Sequence, residues 1–94
     1  MTKYAVRPTK QFKKDLKLAQ KSGKNIKLLK EVISALADGK KLAAKFRDHQ
    51  LGGNWQNYRE CHVEPDWLLI YKQEKNVLVL TLVRTGSHSE LFCK

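Results

Sequence analysis

Five apolar residues in succession, Trp67-Leu68-Leu69-Ile70-Tyr71, set the tightest limit on what this chain can become. Successive side chains of a strand point to opposite faces. A run with no polar alternate therefore reads as a strand covered on both sides. Glu64-Pro65-Asp66 precedes the run and Lys75-Asn76 follows it, both of them turn-forming compositions. Beyond each turn lies another strand-like segment, Trp55 to Val63 and Val77 to Val83. Links this short make antiparallel neighbours, and the middle strand then needs a layer packed over it.

The N-terminal half supplies that layer. Lys3 to Arg7 alternates like a short strand, and Pro8-Thr9 ends it, with Thr9 suited to cap a helix. From Lys10 onward Phe12, Leu16 and Ala19 recur at helical spacing, while Lys10, Lys13, Lys14, Lys17 and Lys21 fill the outer surface. Ser22-Gly23 breaks the pattern. A second helix starts near Asn25 and carries Ile26, Leu29, Val32, Ile33 and Leu36 until Asp38-Gly39, where glycine suits the left-handed position past a helix end. Lys40 to Asn54 has no sustained period and reads as a long surface loop, a kind of segment often functional in a compact domain. Arg84 to His88 reads as a polar loop leaving the sheet, and Ser89 to Phe92 as a closing turn or strand. The expectation is an α+β fold, β-α-α-β-β-β, with an antiparallel sheet, a helical hairpin on one face and the other face available. At 94 residues this is one domain spanning 1–94.

Charge is distributed unevenly. Residues 1–47 hold 14 Lys/Arg against 3 Asp/Glu, and residues 48–94 hold 5 against 6, so the +10 net charge belongs to the helical half. An excess of this size argues for a polyanionic partner. All three histidines lie in the other half, which suggests that one half steers and the other acts. Cys61 and Cys93 form no Cys-x-x-Cys pair, no apolar secretory stretch opens the chain, and no apolar run reaches membrane-spanning length. These features lead us to expect a cytoplasmic protein with no membrane association.

Chemistry-bearing residues gather at the ends of the predicted strands. His62 and Asp66 stand four apart across the Pro65 turn; they read either as an imidazole with an orienting carboxylate or as ordinary turn residues. His49, His62, His88 and Asp66 include donors that zinc accepts, but their spacing matches no compact metal motif, and no metal or other cofactor is expected. Arg84-Thr85-Gly86-Ser87-His88 suits either a phosphate clamp with a proton carrier or a plain polar loop. Trp55, Tyr58 and Trp67 read as packing residues, and Phe92, near His88, as the better candidate for stacking on a base.

Taken together, His49 with Leu51, Tyr58-Arg59, His62-Val63-Glu64-Pro65-Asp66-Trp67, Leu69-Ile70-Tyr71 and Arg84-Thr85-Gly86-Ser87-His88 through Leu91-Phe92 closely resemble the YafQ-like branch of the RelE/ParE superfamily of bacterial type II toxins. The resemblance implies the same fold and a ribosome-dependent mRNA endonuclease acting in the decoding site without a metal, by attack of the 2′-hydroxyl on the adjacent phosphate. Carried onto this sequence, it implies His49, His62, Asp66, Arg84 and His88 as catalytic residues. Phe92, Trp67, Lys10, Lys14 and Lys17 are the substrate-binding residues expected beside them. The implied partners are the ribosome and mRNA, and a cognate antitoxin of ribbon-helix-helix type. Operator DNA is reached only through the antitoxin complex, and the free toxin is monomeric. A non-catalytic binder of RNA or ribosomes and a ParE-like gyrase poison are the competing readings, and only the nuclease needs the histidines.

Overall fold

In the computed structural model, which describes residues 2–92, the chain runs β1 (Ala5–Pro8), α1 (Lys10–Lys21), α2 (Ile26–Ala37), β2 (His49–Gln50), β3 (Arg59–Glu64), β4 (Trp67–Glu74), β5 (Val79–Gly86) and α3 (His88–Leu91). Single 3-10 turns occupy Ala44–Phe46 and Gly53–Trp55. The sheet order is β1-β5-β4-β3-β2. Neighbours from β2 to β5 are antiparallel, as the short turns require, but β1 runs parallel to β5, so the sheet is mixed rather than purely antiparallel. A β1–β5 pairing joins strands far apart in sequence, which no local turn signal announces.

The helices start and stop where their residue chemistry dictates. The Thr9 side chain accepts the Phe12 N–H at 3.0 Å and donates its hydroxyl to the Val83 carbonyl at 2.9 Å, so one residue caps α1 and ties it to β5. Asn25 caps α2 through the Leu28 N–H at 3.1 Å. Past α2, Gly39 has φ +76°, the left-handed conformation expected there.

Three segments differ from their sequence reading. The long loop contains β2, a two-residue strand beside β3. Trp55 lies in a 3-10 turn, and β3 begins only at Arg59. Strand β5 continues through Arg84, Thr85 and Gly86, and the last described segment is a helical turn capped by Ser87 with Glu90 in a reciprocal capping box. In that box the Ser87 side chain accepts the Glu90 N–H while the Glu90 carboxylate accepts the Ser87 N–H at 2.8 Å.

The five residues of the apolar run are all fully buried. Trp67, Leu69 and Tyr71 join Phe12, Leu29, Val32 and Leu36 in the core under the helices. Leu68 and Ile70 point the other way, into a smaller cluster with Leu91 and the partly buried Trp55, Val83 and Phe92. Strand alternation thus gives the sheet one sealed face and one partly open face.

Candidate active site

The open face owes its chemistry to the alternation in β3. Cys61 and Val63 turn toward the helices, so Glu60 and His62 turn to the open side, level with Ile70 and Leu68 of β4. A bulge between His62 and Glu64 changes the pairing beside this site, a device that re-aims side chains at sheet ends. Strand β2 then brings His49 directly opposite Glu60.

Glu60 is the centre of the cluster and was missed in the sequence, although its i, i+2 relation to His62 on a strand signals a shared face. Its side chain is 6% exposed, and its Oε1 lies 3.3 Å from His49 Nε2 and 3.7 Å from His62 Nε2. The other ring nitrogen of His49 donates to the Arg47 carbonyl at 2.7 Å. With acceptors on both sides, the doubly protonated His49 ring is the form that makes both contacts hydrogen bonds. His62 is held on one side only, its Nδ1 3.3 Å from the Pro65 carbonyl and its Nε2 beyond hydrogen-bond distance of Glu60.

His88 completes the row, and its partner differs from the sequence expectation. Asp66 pairs with His88 rather than His62: its Oδ1 accepts the His88 N–H at 3.2 Å and lies 3.2 Å from His88 Nδ1. The turn at Pro65 carries Asp66 away from His62 and toward the start of α3. The backbone N–H of His88, and then its ring, hold the Asp66 carboxyl below the usual carboxylate range. A carboxylate fixed on Nδ1 leaves Nε2 as the nitrogen available to a substrate. The rings of His49 and His62 are 6.4 Å apart and those of His62 and His88 5.6 Å, with Phe92 6.5 Å beyond His88 and Trp55 6.1 Å beyond Phe92. An imidazole row therefore ends in an aromatic wall.

Asp48 anchors the loop that carries His49. Its Oδ1 accepts from the Tyr71 hydroxyl and, at 3.3 Å, from Arg59 Nε. Burial, and then the bond to Asp48, push the Tyr71 phenol well above its ordinary pKa.

The remaining expected residues lie elsewhere. Arg84 sits two residues beyond the last β5 residue paired with β1, and its Nε and one Nη donate to the two carboxylate oxygens of Asp15 in α1, at 3.0 and 3.1 Å. The Thr85 N–H donates to the same carboxylate at 3.2 Å. Burial pushes Asp15 up, but the hydrogen bonds from Arg84, Gln11 and Thr85 outweigh it, and the carboxyl sits below the usual range. Three of the five guanidinium donors stay free of Asp15. Trp67 is fully buried in the helix-side core, so its ring supports the site from beneath and does not reach a substrate. Lys10, Lys14 and Lys17 are exposed on α1, which packs over the opposite face of the sheet, so they face a surrounding polyanion and not a phosphate lying among the histidines.

Glu60, His62 and His88 also offer three ligating atoms within 4.8 Å of one another, a nitrogen and oxygen set that suits zinc or copper. Among the described residues this set includes neither His49 nor Asp66 of the sequence-level grouping, and Cys93 lies outside the described residues. No helix among the described residues is long and apolar enough to cross a membrane.

Proton donors and acceptors in a row beside an aromatic wall, on a chain of net charge +10, are the equipment for acid–base work on a nucleic acid. Residues 4–93 match the family of bacterial toxins of type II toxin-antitoxin systems, YafQ, and the chain belongs to that family. The mRNA interferase toxin YafQ of Escherichia coli K12 is 46% identical over 83 residues, 87% of this chain and 88% of its own length. The structure is similar to that of the metal-bound toxin from Helicobacter pylori, with a TM-score of 0.89 and 47% identity over 98% of this chain and 100% of that one. It is also similar to a chain of the E. coli DinJ-YafQ toxin-antitoxin complex, with a TM-score of 0.88 and 42% identity over 96% and 98% of the two chains.

Proposed function

We propose that this toxin is an endoribonuclease that cuts mRNA in the decoding site of a translating ribosome and so halts translation. The 2′-hydroxyl of one nucleotide attacks the adjacent phosphorus. The new bond is 2′-O–P, the bond that breaks is P–O5′, and the products are a 2′,3′-cyclic phosphate and a 5′-hydroxyl. One group takes the 2′-hydroxyl proton, another returns a proton to the 5′-oxygen, and positive charge stabilises the phosphorane-like transition state. The observation that carries this reading is the imidazole row on the open face, with His88 held by Asp66 through Nδ1 and its Nε2 without a hydrogen-bond partner among the described residues.

In this reading His88 transfers one proton and the His49–Glu60–His62 group handles the other. Asp66 orients His88 and Phe92 holds a base against the aromatic wall, while Arg84, bound to Asp15 on the helix-covered face, supports the site through β5. The chemistry needs no metal. A cation on Glu60, His62 and His88 would occupy the atoms that must move protons, and would therefore inhibit. The lysines of α1 meet ribosomal RNA rather than the cut phosphate, and the ribosome supplies the reactive geometry of the message. The DinJ-YafQ relative supports a cognate antitoxin that binds this toxin; we assign it to the ribbon-helix-helix type, acting on operator DNA only as the complex, with the free toxin a cytoplasmic monomer.

Primer extension on a defined message in a purified translation system, with and without ribosomes, tests the proposal. New ends should appear only with ribosomes and wild-type toxin, and His88→Ala should abolish them. Inhibition of translation without new ends, unchanged by His88→Ala, would make the protein a binder instead.

A further inference from the structure

Beside His62 the molecule has a groove of about 450 Å³ that the proton-transfer chemistry does not use. It exists because β2 pairs only with Arg59 and Glu60, leaving the outer edge of β3 beyond them without a strand. The 3-10 turn Ala44–Phe46 fills part of that edge, and the groove opens between this turn, the start of α2 and the β3–β4 turn. Leu28, Phe46, Val63 and Pro65 form its apolar wall.

Charge and position both point to the occupant. Lys45 and Arg47 flank the groove, both exposed, and among the described residues neither is ion-paired. Among the described residues Glu64 is the single acidic residue lining it. The Lys45 ammonium lies 5.1 Å over the Phe46 ring, which places the cation at the apolar wall. Arg47 adopts φ +48°, uncommon for a residue with a side chain. That conformation lets its carbonyl hold His49 Nδ1 at 2.7 Å while its side chain lines the groove. His62 belongs to both the groove and the imidazole row, so the two are continuous.

We infer that this groove is a nucleotide subsite: the base of a message nucleotide flanking the cleaved bond packs on the Leu28–Phe46–Pro65 wall, and its phosphate lies on Lys45 and Arg47. The inference rests on the ribonuclease reading above. A cavity of this size suits a small ligand, and an apolar wall beside unpaired cations is how proteins hold single-stranded nucleotides. The wall offers few hydrogen-bonding groups, so it discriminates among bases by size and stacking rather than by a donor–acceptor code.

The test compares single-turnover cleavage on programmed ribosomes by wild type, the double variant Lys45→Gln/Arg47→Asn, and Leu28→Trp. Asparagine tolerates the left-handed conformation at 47, so the carbonyl that holds His49 is kept, and a tryptophan at 28 fills the groove. The toxin concentration for half-maximal cleavage should rise about tenfold in the double variant. Its dependence on the logarithm of salt concentration should fall by roughly one unit, as expected for lost phosphate contacts. Messages lacking the base on one or the other side of the cut provide the second measurement. Wild type should lose about tenfold on one of these messages, and Leu28→Trp should lose nothing further on it. Wild-type cleavage with half-saturation unchanged in the double variant, or with Leu28→Trp as sensitive to the missing base as wild type, overturns the subsite alone. Weakened binding only to the antitoxin would assign the groove to that partner and also overturn it. Absence of cleavage by wild type removes the ribonuclease reading and the subsite together.

Discussion

The two faces of the sheet are built from the same strands and solve opposite problems. On the helix-covered face, Trp67, Leu69, Tyr71, Leu80 and Leu82 meet Phe12, Leu29, Val32 and Leu36, and the charged Asp15 is admitted only with Arg84 and the Thr85 N–H upon it. On the other face a small apolar cluster supports Glu60, His62 and His88, whose contacts are incomplete and partly wet. One face is closely packed and gives stability. The other leaves donors and acceptors unspent, as a reaction requires. A substitution should therefore change either stability or activity according to the face it touches.

The largest separation is expected from His88→Ala. The side chain is 54% exposed, so the thermal midpoint should move by no more than about 2 °C. Cleavage should fall by about 10²–10⁴-fold, the range for loss of a general acid or base. Parallel melting and single-turnover experiments check both halves. A large fall in midpoint would break the division between the faces.

Asp15→Ala should do the reverse, costing about 3 kcal/mol in urea unfolding because it strands Arg84 without its counter-charge. The pH dependence has a defined sign. The folded-state pKa of Asp15 lies below the unfolded value, so its contribution is fully present above about pH 4. That contribution is lost as pH falls through the folded-state value. The stability gap between wild type and Asp15→Asn should accordingly close in acid.

Tyr71→Phe sharpens the comparison, because Tyr71 packs in the sealed core while its hydroxyl holds Asp48, next to His49. Loss of that bond should cost about 1 kcal/mol and lower cleavage a few-fold, and rescue of activity by nothing short of a phenol at 71 would mark Asp48 as a positioning residue. Toxin pretreated with EDTA and freed of it before meeting the ribosomes should cleave unchanged, whereas toxin preloaded with zinc should cleave more slowly through Glu60, His62 and His88. The smallest effect concerns Cys61, whose thiol burial pushes up to about 12. Peptide-resolved alkylation should find it inert until the core unfolds.

Much of this division was legible in the sequence. The run Trp67 to Tyr71 announced a strand covered twice, and Thr9, Asn25 and Gly39 marked the helix ends they occupy, because caps and buried runs are local signals. The gathering of His49, His62, His88 and Phe92 followed from the family resemblance, and the structure brings them together. What escaped was set by tertiary geometry. The parallel β1–β5 pairing, the two-residue β2 and the exchange of Asp66 from His62 to His88 depend on chain segments remote in sequence. Glu60 drew no reading in the sequence, and Arg84 stood between a phosphate clamp and a plain polar loop, until the fold buried one and gave the other to Asp15.

The most direct measurement places a single 2′-deoxynucleotide at the cut position of a ribosome-bound message and compares its cleavage with that of the all-ribose message. The account predicts that the ribose message is cut to a 2′,3′-cyclic phosphate and a 5′-hydroxyl, and that the deoxy message is not cut at that bond. Equal cutting of both messages would show that the nucleophile comes from elsewhere, and would contradict acid–base transfer by the open-face histidines.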